Sequence, residues 1–218
     1  MATLTIKPTA AGNDIQIKSG SGGTTHATFG DTATLGTATI ASATITAGSI
    51  ASAVTFPAGH IIQVASNYSN SITTSWSSGS SGTYYDTGVL ATFTPTSSSN
   101  KVLILAMATM GHTANGEGQW RVQRNINSGG WGNPSAVADA TGGVGRSQVG
   151  GLYDDIANTE TYTQHASWLD APATALSVSY RIEMMRWDGT MYMNRPDSNS
   201  NGERNAGITS ITIMEVQQ

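Results

Sequence analysis

Residues Leu35 to Phe56 read LGTATIASATITAGSIASAVTF. Large apolar residues recur in this stretch every five positions, and the residue two positions before each of them is small. A period of five is neither the two of an ordinary β-strand nor the 3.6 of an α-helix. It suits a narrow coil of short strands and tight corners, such as a solenoid or an intertwined fibre shaft. The residues that define the period are Leu35, Ile40, Ile45 and Ile50.

This repeat segment is too short to bury its own apolar side chains. Four units amount to little more than one turn of a coil, which leaves those side chains facing water. We therefore expect other copies of the chain to cover them in a homotrimer, with Ile40, Ile45 and Ile50 facing a shared threefold axis. A plain linker remains the alternative, because Thr-, Ser- and Ala-rich sequence can produce such spacing by chance.

The chain carries little charge. Charged residues make up 11% of its 218 residues, less than half of the roughly 25% typical of soluble proteins, and the net charge is −4. From Thr32 to Tyr85 there is no Asp, Glu, Lys or Arg. Nothing here provides the basic footprint of a nucleic-acid-binding protein. Polar residues also interrupt every apolar run well before the ~20 residues that a bilayer requires, so we do not expect membrane insertion.

The absence of cysteine excludes disulfides, thiolate metal sites and cysteine nucleophiles. The N-terminal residues MATLTIKPTA show no basic stretch followed by an apolar stretch, so no secretory signal is expected. Both observations are compatible with synthesis and assembly in a bacterial cytoplasm.

The pattern changes at Phe56-Pro57-Ala58-Gly59, where Pro and Gly end the repeat. We predict three regions: an N-terminal attachment module with two short strands (1–31), the repeat shaft or linker (32–57) and a β-sandwich head (58–218). The predicted fold is all-β: short N-terminal strands and a five-residue-repeat fibrous shaft, followed by a C-terminal jelly-roll-like β-sandwich. The strands expected in the head are His60–Ala65, Gly88–Thr94, Val102–Met110, Gln119–Ile126, Tyr162–Leu169, Leu176–Trp187, Thr190–Asn194 and Ile208–Val216.

Two hairpins are predicted in the head from their turn sequences. The hexapeptide PTSSSN separates residues 90–94 from residues 101–105, and Asp188-Gly189 separates residues 177–187 from residues 190–194. In the second hairpin, alternation places Val178, Tyr180, Ile182 and Met184 on one face of the strand. The opposite face, with Arg181 and Glu183, is expected to meet either solvent or a neighbouring subunit.

Signatures of enzymes are largely absent. The sequence contains no GxSxG, HExxH or complete phosphate-binding glycine loop. A glycan-cleaving enzyme would need two carboxylates facing one bond, but adjacent residues of an extended segment point to opposite sides. This argues against Asp154 and Asp155 as such a pair; Glu160 lies in the same predicted loop, and Asp170 follows Trp168. We expect no enzyme activity and no cofactor.

One stretch resembles the first half of a calcium-binding loop. Asp197, Asn199 and Asn201 precede Gly202 with the spacing D-x-N-x-N-G. The acid expected at the twelfth position is missing, because that position is Ile208. The segment is therefore a weak calcium candidate, and a simple polar turn is the alternative.

Aromatic residues beside hydrogen-bonding groups are the better candidates for a binding surface. Flat aromatic faces next to such groups are what a sugar-binding surface needs. Trp131 is flanked by glycines, which places it in a loop. A role in the core or in a subunit interface is the alternative for each of these residues. The candidates for contact with a glycan or receptor are Trp131, Trp168, Trp187 and Tyr192.

From Leu35 to its end, the chain resembles virion proteins of tailed bacteriophages, of the fibre or capsid-decoration type. The resemblance rests on GTATIASATITAGSI, TFPAGHIIQV, SNSITTSWSSGSSGTYYDTG, FTPTSSSNKVLILA and SITIMEV. It implies a homotrimer whose slender N-terminal part binds other virion proteins and whose β-sandwich head is exposed and binds a host glycan or protein. A capsid decoration protein is the alternative, and a glycan-cleaving spike is a remote one. No motif assigns a receptor-binding residue.

Overall fold

The head was described from a computed structural model, which covers residues 57–77, 82–113, 117–134, 149–153, 161–197 and 206–218. All of them belong to the compact unit Ala53–Gln218. They contain strands and no helix, so the prediction of an all-β head is confirmed. No helix in these ranges is long and apolar enough to cross a membrane. The predicted attachment module and the repeat residues Leu35, Ile40, Ile45 and Ile50 lie outside the described residues.

Eleven strands make up the described part of the head, and the eight strands predicted from the sequence each overlap one of them. The other three are short. The strands are β1 (Ile61–Ser69), β2 (Ser75–Trp76), β3 (Tyr84–Phe93), β4 (Lys101–His112), β5 (Glu117–Ile126), β6 (Trp131–Gly132), β7 (Gly150–Tyr153), β8 (Tyr162–Asp170), β9 (Val178–Asp188), β10 (Met191–Met193) and β11 (Thr209–Val216).

The strands form two antiparallel sheets. In sheet A the order is β1-β11-β4-β10-β2, with β8 also paired to β4. Met110 of β4 pairs with both Tyr162 of β8 and Met193 of β10, so β10 lies on the edge of β4 opposite β8, in line with β11. In sheet B the order is β3-β9-β5-β6, and β7 pairs with β5 beside β6. Each sheet is therefore about four strand positions wide.

The core lies between the two sheets. Strand alternation predicts that Val178, Tyr180, Ile182 and Met184 share one face of β9, and all four are fully buried. Ile211 and Ile213 of β11 are also fully buried, as their alternation with polar residues predicts. Each such side chain contributes about 1.5–3 kcal/mol when it leaves water, so this layer is the main stabilising element. It also holds Ile104, Met110, Trp120, Val122, Met191 and Met193.

The first predicted hairpin is wrong. β3 belongs to sheet B and β4 to sheet A, so the loop between them crosses from one sheet to the other. The loop is held by Glu215, a buried residue on the inner face of β11. One carboxylate oxygen of Glu215 accepts bonds from the Thr96 backbone N–H (2.7 Å) and the Asn100 amide (2.6 Å). The PTSSSN residues, which were predicted to form a hairpin turn, thus attach this loop to sheet A.

The second predicted hairpin is also wrong. Asp188-Gly189 forms a turn, but β10 pairs with β4 and β2 of sheet A and not with β9. Of the two turn residues only Gly189 has a positive φ (63°), whereas a primed two-residue turn of the Asn-Gly type needs positive φ at both. Instead, the Thr113 backbone N–H donates to the Thr190 carbonyl oxygen, and the Thr190 N–H donates to the Thr113 hydroxyl. Thr113 follows β4, so these bonds place Thr190 next to sheet A.

Polar side chains join the edges of the two sheets on both sides of the core. On one side, Gln63 and Asn67 of β1 donate to the backbone oxygens of Thr94 (2.7 Å) and Leu90 (3.0 Å), at β3. On the other side, the Trp120 indole donates to the Gln164 side chain at 2.8 Å, which links β5 to β8. These edge bonds close the sandwich where its strands would otherwise face water.

The Glu215 anchor predicts a pH dependence of stability. Burial alone would raise the pKa of Glu215, but hydrogen bonds from Asn100, Gln63 and Thr96 outweigh it and hold that pKa below its ordinary value of 4.5. Ionised Glu215 therefore stabilises the fold above pH 4.5, and this contribution is lost as the pH falls through the lowered pKa. We expect Glu215→Gln to lower the free energy of unfolding by about 2 kcal/mol at pH 7.

Urea unfolding of wild type and Glu215→Gln at pH 7 and at pH 3 measures this difference. The difference should shrink at the lower pH, because the contribution of the ionised carboxylate decreases as the pH falls below 4.5 toward the lowered pKa. A difference that is the same at both values would contradict the role of the ionised carboxylate.

Candidate binding face

The outward face of sheet B carries a row of charged and aromatic side chains, which we call the ladder face. Alternation along β9 turns Arg181 and Glu183 away from the core. Strand register then places Asp86 of β3 and Arg121 of β5 directly opposite Glu183 on its two sides. The ladder face comprises Tyr84, Asp86, Arg121, Trp131, Arg181 and Glu183.

The charges of the ladder face neutralise one another. Two carboxylates directly opposite each other, Asp86 and Glu183, would repel. Arg181 bridges them, with one nitrogen 2.8 Å from Asp86 Oδ2 and another bonded to Glu183. Arg121 Nε lies 2.6 Å from the second oxygen of Glu183. The two arginines leave Glu183 only 3% exposed. The expectation that this face meets solvent or a neighbouring subunit is therefore wrong for Glu183, which its own chain covers.

Two aromatic rings flank the arginines. The Arg121 guanidinium lies 3.8 Å from the centre of the Tyr84 ring, and that of Arg181 lies 4.0 Å from the Trp131 ring. Such contacts contribute about 0.5–1 kcal/mol at partly exposed sites. Tyr84 also donates to the Gln119 side chain at 3.3 Å. Because its arginine partner is itself fixed by two carboxylates, Trp131 is held in one orientation although it is 36% exposed.

A shallow depression of about 270 Å³ lies beside Trp131, in the turn that joins β5 to β6. The turn needs unusual backbone angles: Asn127, Ser128 and Gly130 have φ values of 48°, 61° and 111°. At Gly130 this conformation strongly favours glycine. The glycines before Trp131 therefore have a structural cause, but the loop predicted at Trp131 is wrong, because Trp131 pairs with Asn125 as the first residue of β6. The lining residues are Arg124, Ile126, Gly129, Gly130, Trp131, Gly132 and Asn133.

The structure does not bring the four aromatic candidates together. Trp168 packs against the core and its indole N–H is buried, so its ring is not a surface for a ligand. Trp187 is 43% exposed but lies six residues along β9 from Arg181, about 20 Å away. Tyr192 is on β10 of sheet A, where Arg195 covers its ring at 4.0 Å. Only Trp131 combines exposure with charged neighbours and a depression.

A buried polar cluster was missed by the sequence analysis. Asp170, fully buried at the end of β8, lies 2.8 Å from an Arg124 nitrogen and accepts a hydrogen bond of 2.6 Å from the Tyr180 hydroxyl. Burial and the nearby Asp170 carboxylate raise the pKa of Tyr180 above its ordinary range. Asp170 forms an ion pair with Arg124 that links β8 to β5.

The calcium candidate is only partly described. Asn199 and Asn201 lie outside the described residues. The Asp197 carboxylate interacts with the Tyr192 hydroxyl, and burial together with this interaction raises the pKa of Tyr192. In the described part of the chain, no three His, Cys, Asp or Glu side chains come together as a metal site would require.

Comparisons with known proteins do not assign this chain to a family. No protein-family model matches the sequence, and no curated protein matches it.

The ladder face predicts unequal effects of its two acids. Glu183→Gln removes a buried charge from between two arginines, and we expect it to lower the free energy of unfolding by about 3 kcal/mol. Asp86→Asn is the matched control, because the Asp86 side chain is 48% exposed and exposed ion pairs contribute at most about 1 kcal/mol. Urea unfolding of both variants at pH 7 measures the difference. Equal losses would contradict the assignment of Glu183 as the centre of the ladder.

Proposed function

We propose that this chain is a non-enzymatic structural protein of a bacteriophage virion, a homotrimeric appendage with an exposed head. The proposal rests on the order of the regions along the chain. An uncharged repeat segment that cannot bury its own isoleucines precedes a head that closes on itself. Copies of the chain would meet along the repeat, the N-terminal residues would bind other virion proteins, and the head would project into solvent.

The head supports a jelly-roll-like architecture. Each sheet is about four strand positions wide, and the connections β3 to β4 and β9 to β10 cross between sheets, as in double-sheet folds of this type. Such heads present their outer faces and loops to partners. The virion is the proposed location, with assembly in the host cytoplasm.

Attachment to the host surface through Trp131 is the role that the geometry of the head favours. The depression of about 270 Å³ is smaller than the roughly 300–1,000 Å³ of enclosed ligand pockets. It suits a shallow ligand such as one sugar ring placed against the exposed part of Trp131. The Arg181 contact fixes that ring before binding, which lowers the entropic cost of association. A host surface glycan is thus the proposed ligand class, and a host protein is the alternative.

The partners of two acids, Asp170 and Glu183, support binding over catalysis. Asp170 and Glu183 are each committed to arginine partners inside the fold. Neither faces the depression beside Trp131 as one of a pair of carboxylates, the arrangement that glycan cleavage requires.

A capsid decoration protein is the second candidate. The same order of parts, an uncharged repeat segment followed by a β-rich head, fits that class as well. In that role the N-terminal residues would clamp capsid subunits and the head would project without binding a receptor.

Competition for phage adsorption separates the two candidates. Full-length protein added to host cells should reduce adsorption of the phage that encodes it, and Trp131→Ala should raise the concentration required by at least about tenfold. Ile208→Ala is the control, because Ile208 is 44% exposed and does not belong to the ladder face. If Trp131→Ala competes as well as wild type, Trp131 is not the contact. If wild type neither binds nor competes, the decoration role is favoured.

A further inference from the structure

The outward face of sheet A is a second, very different surface. Register aligns residues of β1, β11, β4 and β8 in rows across the sheet. One row is entirely apolar: Val64, Met214, Leu103 and Leu169. The next row is Ser66, Thr212, Leu105 and Ser167, and the one after it is Tyr68, Ser210, Met107 and His165. We call these twelve residues the apolar face.

The apolar face is exposed in the single chain. Val64 is 57% exposed, Tyr68 67%, and Leu105 and Leu169 40% each. None of the twelve residues is Asp, Glu, Lys or Arg. The ion pairs of Arg121, Arg124 and Arg181 lie instead on the ladder face or inside the sandwich.

We propose that the apolar face is the contact between copies of the head in the homotrimer. This inference rests on the proposed trimeric assembly and names the surface by which the heads meet. A face without charge can meet a copy of itself with no like-charge repulsion and no ion to desolvate. The ladder face would bury one exposed acid, Asp86, in any such contact.

The shape of the apolar face suits threefold symmetry. In a ring of three copies, one half of the face must fit the other half of the next copy's face. Tyr68 projects from β1 at one side, and a depression of about 390 Å³ lies toward the other side, around Leu105, Met107 and Ser167. The β1 side of one head would thus pack against the β8 side of the next.

The apolar face is too small to hold free heads together, so the contact needs the repeat segment as well. The three rows occupy about six residues of each of four strands about 4.8 Å apart, which gives a face of roughly 400 Å². A stable interface between free proteins buries about 800 Å² on each partner, so heads alone would associate weakly. The repeat segment ends just before β1, and chains joined there would hold their heads at effective concentrations in the millimolar range.

Thiol labelling of the full-length chain tests the proposal, because the sequence contains no cysteine. Ser167→Cys places one thiol on the apolar face, and Thr92→Cys places one on the outward side of β3 in sheet B. Both positions are exposed in the single chain. In the assembled protein, a maleimide reagent should label Ser167→Cys at least about tenfold more slowly than Thr92→Cys. Adding Leu105→Glu to Ser167→Cys should restore fast labelling.

The mass of the same samples in solution distinguishes the possible failures. A trimer in which both thiols react equally fast overturns the head contact but leaves the trimer intact. A monomer with both thiols reactive overturns the assembly itself. A monomer with Ser167→Cys protected shows that another part of the same chain covers the face, which also overturns the contact between copies. Far-UV circular dichroism confirms that each variant is folded.

Discussion

The head depends on the burial of two inner sheet faces against each other, with the gaps at both sides closed by polar side chains. Neither sheet could remain in water alone, because its inner face is almost wholly apolar. The Gln63 and Asn67 amides close one side, and the Trp120–Gln164 and Arg124–Asp170 contacts close the other. These side chains thus find their partners within one chain, which leaves the outer faces to determine what the head can bind.

The two outer faces differ in kind. Sheet B carries fixed charges that cancel, and they hold one partly exposed tryptophan beside a shallow depression. The outer face of sheet A carries twelve residues in register, none of them Asp, Glu, Lys or Arg, and Lys101 lies one row beyond them. A charged and hydrogen-bonding face suits a polar ligand such as a glycan, whereas an uncharged face suits a copy of the same chain. The head therefore has separate surfaces for the two roles that the proposal gives it, host contact and assembly.

The sequence could predict the strands of the head but not the way in which they pair. Alternation is local, so the buried face of β9, with Tyr180 and Ile182, follows from a few consecutive residues. Sheet membership depends on distant residues. The PTSSSN loop is bound to sheet A by hydrogen bonds to Glu215, more than a hundred residues later in the chain. A local turn pattern cannot predict such a contact. Both predicted hairpins failed for this reason.

The candidate site shows the same limit. Glycines around Trp131 indicated an exposed loop; the exposure is confirmed, but Trp131 itself begins strand β6, and the turn with its positive φ at Gly130 lies just before it. Trp168 lies close to Asp170 in the sequence but points into the core. Successive residues of β8 face alternately inward and outward, and Trp168 is at an inward position. Asp170 and Arg124 are 46 residues apart, so their ion pair could not be predicted from spacing.

The central claim is that copies of this chain assemble around the uncharged repeat segment. Light scattering of the purified full-length protein tests it most directly. A homotrimer has a mass of about 68 kDa, three times the 22.6 kDa of one chain, and this is the expected result. A stable, folded monomer of 22.6 kDa would contradict it.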